Sequence, residues 1–123
     1  MKRILIIEDQ EDLRRLLARM LTLEGFETIT AENGMTGIAL TRERQPDLVF
    51  CDLRMPDLDG YEVLSALRAD QVTANIPLIF VTASANQSAR QLGLERGAAA
   101  YLTKPFKRDE ILEVLRRCLP DPE

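Results

Sequence analysis

Glu8, Asp9, Asp52, Thr82 and Lys104 each stand at the carboxyl end of a short apolar run, the runs being 4–7, 48–51, 78–81 and 100–103. If those ends meet in space, three carboxylates converge with one ammonium and one hydroxyl. Clustered carboxylates repel and raise at least one pKa unless a cation neutralises them. Oxygen ligands without neighbouring histidine or cysteine suit Mg²⁺, or Mn²⁺, either of which keeps sites for a phosphoryl oxygen. Residues 8–12 read Glu-Asp-Gln-Glu-Asp and hold no glycine, so they cannot cradle a nucleotide on bare amides as a P-loop or dinucleotide fold does. The residues favour a metal cation plus a transferable phosphoryl group.

The 123 residues contain no histidine and no tryptophan. Without histidine there is no Ser-His or Cys-His nucleophile pair and no phosphohistidine within the chain, so a phosphoryl group must come from another molecule. The net charge of −4 argues against direct binding to nucleic acid or an anionic membrane surface. No apolar run approaches the ~20 residues that span a bilayer. Cys51 and Cys118 lie far apart in apolar surroundings and read as reduced thiols of a cytoplasmic protein.

The elements that must position these residues alternate between continuous apolar runs and helical spacing, the pattern of a parallel sheet with crossover helices. Strands are expected at 4–7, 28–31, 48–51, 78–81 and 100–103, with the second, least apolar one toward an edge. Leu13, Leu16, Leu17, Met20 and Leu21 mark one face of a first helix, with Gly25 placed as its C-terminal cap. Met35, Ile38 and Ala39 mark a second helix, entered by a turn at Asn33-Gly34. Val63, Leu64 and Leu67 mark a third, with Asp57, Asp59 and Gly60 as turn and helix-entry residues; Met55 and Ala66 stand where a calcium loop needs ligands. Ile111, Leu112, Leu115, Cys118 and Leu119 mark the last helix. The segment 87–96 offers only Ala89, Leu92 and Leu94 to a core and should pack weakly. The expectation is an α/β domain over residues 1–119 with a tail at 120–123, built as a (βα)5 doubly wound five-stranded parallel sheet in strand order 2-1-3-4-5. Ligands bind such sheets beyond the carboxyl ends of the strands.

Four segments resemble the receiver domain of two-component response regulators, in particular its chemotaxis-regulator-like members. They are Ile-Leu-Ile-Ile-Glu-Asp from Ile4, Asp-Leu-Val-Phe-Cys-Asp-Leu-Arg-Met-Pro-Asp-Leu-Asp-Gly from Asp47, Ile-Phe-Val-Thr-Ala from Ile79, and Ala-Tyr-Leu-Thr-Lys-Pro-Phe from Ala100. The resemblance runs from Arg3 to about Leu119 and implies a flavodoxin-like fold. It implies that Asp52 accepts a phosphoryl group, and that Glu8, Asp9, Asp52 and the backbone carbonyl of Arg54 hold Mg²⁺. Lys104 would contact phosphoryl oxygens, Thr82 would follow the phosphoryl group, and Tyr101 would turn inward as the switch residue. The Lys104-Pro105 bond would be cis. Arg54 and Ser84 flank the family's water path, and Arg54 is expected to shield the acyl phosphate and tune its hydrolysis. Glu8 departs from the more usual aspartate and lengthens one ligand arm.

The implied partners are a sensor histidine kinase or histidine phosphotransfer protein, and a downstream protein target or effector domain. The target would meet the fourth helix, last strand and last helix, with Tyr101, Lys107 and Arg108 as contacts; a phosphorylation-dependent homodimer could use the same face. The chain would catalyse only its own phosphorylation and dephosphorylation, acting as a signalling switch rather than a metabolic enzyme. It would either act alone or be the receiver of a longer regulator. Two other readings compete. An aspartyl-phosphate phosphohydrolase needs a second aspartate where Arg54 stands. A phosphorylation-independent interaction module has no need of the full set of acids, threonine and lysine. Glu8 and Asp9 could instead cap a helix, and Tyr101 could simply pack.

Overall fold

The computed structural model describes residues 1–83 and 86–119. Strands β1 (Arg3–Ile7), β2 (Glu27–Ala31), β3 (Leu48–Asp52), β4 (Leu78–Thr82) and β5 (Ala100–Thr103) alternate with helices α1 (Glu11–Leu23), α2 (Gly34–Arg44), α3 (Gly60–Ala69), α4 (Gln87–Glu95) and α5 (Arg108–Cys118). All strand pairs are parallel, in the order β2-β1-β3-β4-β5, the flavodoxin-like doubly wound arrangement expected.

Both faces of the sheet are covered, which is why its strands are continuous apolar runs rather than alternating ones. Ile4, Ile6, Phe50, Ile79 and Leu102 point toward α1 and α5, where Leu17, Leu21, Ile111, Val114 and Leu115 meet them. Leu5, Ile7, Val49, Cys51 and Phe80 point the other way, against Val63, Leu64 and Leu67 of α3. β2 is an edge strand, and only its last residue, Ala31, is buried.

Local chemistry sets the helix ends. Gly25, at φ +96°, follows the C-terminus of α1 in a conformation that disfavours any side chain. Asn33 caps α2 by accepting from the Thr36 amide, and Asp59 forms a reciprocal capping box with Glu62 at α3.

Three helix faces differ from the apolar pattern. In α1, Leu16 is half exposed and the contact is made by Leu17 and Leu21. In α2, Met35 and Ala39 face solvent, and the buried residues are Gly34, Gly37 and Thr41. A Cβ on Gly37 would lie 2.7 Å from Ile7 Cγ1, so this helix approaches β1 through glycine rather than through an apolar stripe. In α4, Leu92 and Leu94 are exposed and Gly93 is the buried residue.

Candidate functional site

The parallel register carries the polar strand ends to one rim. Ile7 pairs with Cys51, so the residues that follow, Glu8 and Asp52, lie side by side at the ends of the central strands. Asp52 and Thr82 are the last residues of their strands rather than the first beyond them. Pairing continues through Asp52 with Val81 and Thr82 with Thr103, which puts Lys104 one residue past the last rung. Its amide donates to the Thr82 carbonyl at 2.8 Å, and the Lys104-Pro105 peptide is cis.

One oxygen from each of Glu8, Asp9 and Asp52 falls within 4.8 Å of the others. Glu8 and Asp52 are only 5% and 6% exposed, whereas Asp9 is open to solvent. The Lys104 ammonium lies 3.1 Å from Glu8 Oε1 and 3.3 Å from Asp52 Oδ2, bridging the two buried acids. Amides supply part of the remaining compensation: Gln10 N–H donates to Glu8 Oε2 at 3.2 Å, and Arg54 N–H lies 3.4 Å from Asp52 Oδ1. Glu8 and Asp9 do not cap α1, whose N-cap is Gln10 without a side-chain bond. Arg14 instead holds the Glu8 carbonyl at 2.9 Å and braces the acidic turn against the helix.

One ammonium does not balance three carboxylates. Burial, and then the neighbouring charge of Asp52, push Glu8 up to about 7, against the opposing pull of the Gln10 amide and Lys104. A proton can relieve this excess negative charge, and so can a hard divalent cation on the same oxygens. The donor set therefore fits such an ion.

Thr82 is buried at the same rim. The Arg54 side chain is exposed and borders a cleft of about 280 Å³ lined by Leu53, Asp59, Tyr61 and Ala89. Tyr101 is 5% exposed, with its ring edge-on to Phe80 at 6.4 Å between centroids. Its ring is thus already inward in this structure. Ser84 and the tail at 120–123 lie outside the described residues.

Asp57 and Gly60, read from the sequence as turn and helix-entry residues, also have supporting roles that the local sequence does not show. Asp57 accepts from the Gly34 and Met35 amides, at 3.0 and 2.9 Å, and so caps α2 from a loop 22 or 23 residues away. These amide bonds, that of Met35 first, draw its pKa down. Gly60 must be small, since a Cβ there would meet the Asp52 carbonyl and the Phe80 ring at 2.8 Å. Only the crossing of distant segments reveals either role.

Residues 4–116 match the family model of the response regulator receiver domain, and the chain belongs to that family. It is 37% identical over 119 residues to Protein PilH of Pseudomonas aeruginosa, covering 97% of this chain and 98% of that one. It spans only 25% to 52% of the length of several curated regulatory proteins that it also matches. Among solved structures, the chemotaxis protein CheY4 of Vibrio cholerae superposes with a TM-score of 0.91 at 28% identity, covering 97% of this chain and 99% of that one. The receiver domain of sensor histidine kinase PA1611 from Pseudomonas aeruginosa gives 0.87 at 32% identity, covering 95% and 96%, and has a magnesium ion coordinated in its active site cleft. Receiver domains are signalling switches that interact with histidine kinases or phosphotransfer proteins and with downstream targets.

Proposed function

We propose that Asp52 is the phosphoacceptor of this receiver domain and that a phosphohistidine of a sensor histidine kinase or histidine phosphotransfer protein is its donor. The observation that carries this reading is the pairing of a buried carboxylate with an ammonium 3.3 Å away, at the end of a central strand and beside two further acids. An Asp52 oxygen attacks phosphorus, the P–N bond breaks, and its electron pair returns to the donor imidazole. Water attack on the acyl phosphate later restores the carboxylate and releases inorganic phosphate.

A carboxylate attacks an anionic phosphoryl group slowly unless the developing charge is neutralised. Lys104 supplies a fixed cation at the rim, and the Thr82 hydroxyl offers a neutral hydrogen bond. Glu8, Asp9, Asp52 and the Arg54 carbonyl would hold Mg²⁺, or Mn²⁺, which when bound neutralises charge on the phosphoryl oxygens. Arg54, exposed beside the acceptor, shields the product from water, and Ser84 shares that modulating role. The acyl phosphate brings about two negative charges to a rim already rich in them. Thr82 and Tyr101 pass the change to the face formed by α4, β5 and α5, where Lys107 and Arg108 are exposed. A downstream protein or effector domain, or a second phosphorylated copy, docks there. We assign the receiver to residues 1–119. We also place it in the cytoplasm, in keeping with the free thiols of Cys51 and Cys118.

The test is incubation with acetyl phosphate and Mg²⁺, read by intact mass. One phosphoryl adduct is expected on the unsubstituted chain and none on Asp52→Asn. An equal adduct on Asp52→Asn refutes the assignment.

A further inference from the structure

α4 carries little apolar area into the core, and two side chains of α3 hold it in place. Tyr61, in the first turn of α3, donates its hydroxyl to the Ala89 carbonyl in the first turn of α4, at 3.1 Å. Arg68, seven residues on and hence on the same face of α3, donates to the Gly97 carbonyl just past the end of α4, at 3.2 Å, and to the Ile76 carbonyl at 2.9 Å. The two attachments differ in strength. The one at Arg68 is a charged hydrogen bond from a guanidinium that Ile76 also anchors, whereas the one at Tyr61 is a single neutral hydrogen bond.

Tyr61 is also the outer member of an aromatic chain. Its ring meets Phe80 edge-on at 5.4 Å, and Phe80 in turn meets Tyr101 at 6.4 Å. The Arg96 guanidinium, at the C-terminal end of α4, sits 5.2 Å from the Tyr61 ring centroid. Gly93 brings the α4 backbone down onto Phe80 and the edge of Tyr101; a Cβ there would lie 3.1 Å and 3.7 Å from those rings. The first turn of α4 and the end of β4 at Thr82 are joined by residues 83–86. A shift of that first turn therefore bears on the rim and on the cover over Tyr101 together.

We propose that Tyr61 is a positioning residue, a latch on the first turn of α4 that keeps the helix, and with it Gly93, seated on the enclosed Tyr101 ring while the Arg68 staple serves as the pivot. Releasing the hydroxyl lets α4 swing about its C-terminal end and lifts Gly93 from Tyr101. The latch stands on these contacts alone, and its consequence for signalling rests on the proposed role of Asp52.

Tyr61→Phe keeps the ring and its packing on Phe80 and removes only the hydroxyl, so the fold should survive. Amide hydrogen exchange in α4 should rise about fivefold or more, with exchange in α3 and the central strands unchanged. The chain has two tyrosines, so in fluorotyrosine-labelled Tyr61→Phe the one fluorine resonance is that of Tyr101. It should move toward the position of free fluorotyrosine, and Asp52 labelling by acetyl phosphate should slow two- to tenfold. Unchanged α4 exchange together with an unmoved Tyr101 resonance overturns the latch. A uniform rise in exchange throughout the chain also overturns it, since that reports lost stability rather than a released helix. Altered α4 exchange with no Asp52 adduct on either protein keeps the latch and refutes the phosphoacceptor reading instead.

Discussion

The rim at the ends of β1 and β3 and the helix α4 are held by opposite means. At the rim, two buried carboxylates share a single ammonium at 3.1 and 3.3 Å and accept from nearby amides, beside a third, exposed carboxylate. Little there can move without exposing or unpairing a charge, which costs several kcal/mol. α4 buries only Gly93, near its C-terminal end, leaves both leucines exposed, and is tied down by a tyrosine hydroxyl and an arginine staple. Local rearrangement is cheap where buried apolar contacts are few. A protein that must sense a change of charge and report it by a change of surface needs both kinds of region, one stiff and one loose, joined by a short connection. Here that connection runs from Thr82 to Gln87.

The contrast is sharpest at Lys104. In Lys104→Met, labelling of Asp52 by acetyl phosphate should slow by about 100-fold or more, the cost of losing a preorganised countercharge. Stability at pH 7.5 should fall by roughly 3 kcal/mol in a urea titration, because two buried carboxylates lose their partner. Millimolar Mg²⁺ should restore part of the stability while leaving the labelling slow. A fully active Lys104→Met would break the claim that the rim works through fixed charge.

Next in size is a pH effect in the metal-free protein. Glu8 stands at about 7 in the fold against 4.5 for an unperturbed glutamate. Below about pH 4.5 both folded and unfolded chains keep this proton, and the stability the site permits is fully present. Between 4.5 and 7 only the folded chain keeps it, so unfolding releases a proton and stability declines as pH rises. The loss over that window should be roughly 2 to 3 kcal/mol, seen as a falling urea midpoint. Glu8→Gln should flatten this dependence. Added Mg²⁺ should offset the loss at the upper end by binding the folded chain. A stability that rises from pH 5 to 7.5 in both the metal-free protein and Glu8→Gln would exclude Glu8 as the strained member of the rim.

The smallest effect belongs to α4. Leu92→Ala should lower stability by less than about 0.5 kcal/mol, as for an exposed surface position. Leu67, fully enclosed in α3, should cost on the order of 3 kcal/mol for the same truncation. Equal costs at the two positions would show that α4 is packed as firmly as α3 and erase the distinction.

The parallel sheet, its strand order and the polar residues of the rim were readable before any coordinates, because each depends on a strong local pattern. Buried strands are continuous apolar runs, and the groups that end them are plainly polar. The helix faces were read less well, for a physical reason. Apolar spacing locates a helix that packs through large side chains, as α3 does with Val63, Leu64 and Leu67. It misses helices that approach the sheet through glycine, since a glycine contributes contact by what it lacks. Gly37 against Ile7 and Gly93 against Phe80 are both of this kind, and both displaced the expected faces.

The one-dimensional pattern thus determined a five-stranded α/β domain with three acids, a threonine and a lysine at its strand ends, and no histidine among its 123 residues. Tertiary structure alone decided the bridging of Glu8 and Asp52 by Lys104, the capping of α2 by Asp57, and the hold of Tyr61 on Ala89. Those contacts join residues 22 to 96 positions apart in the chain. Distances of that kind follow from how twisted strands and helices come to pack, and side-chain periodicity within one element carries no record of them.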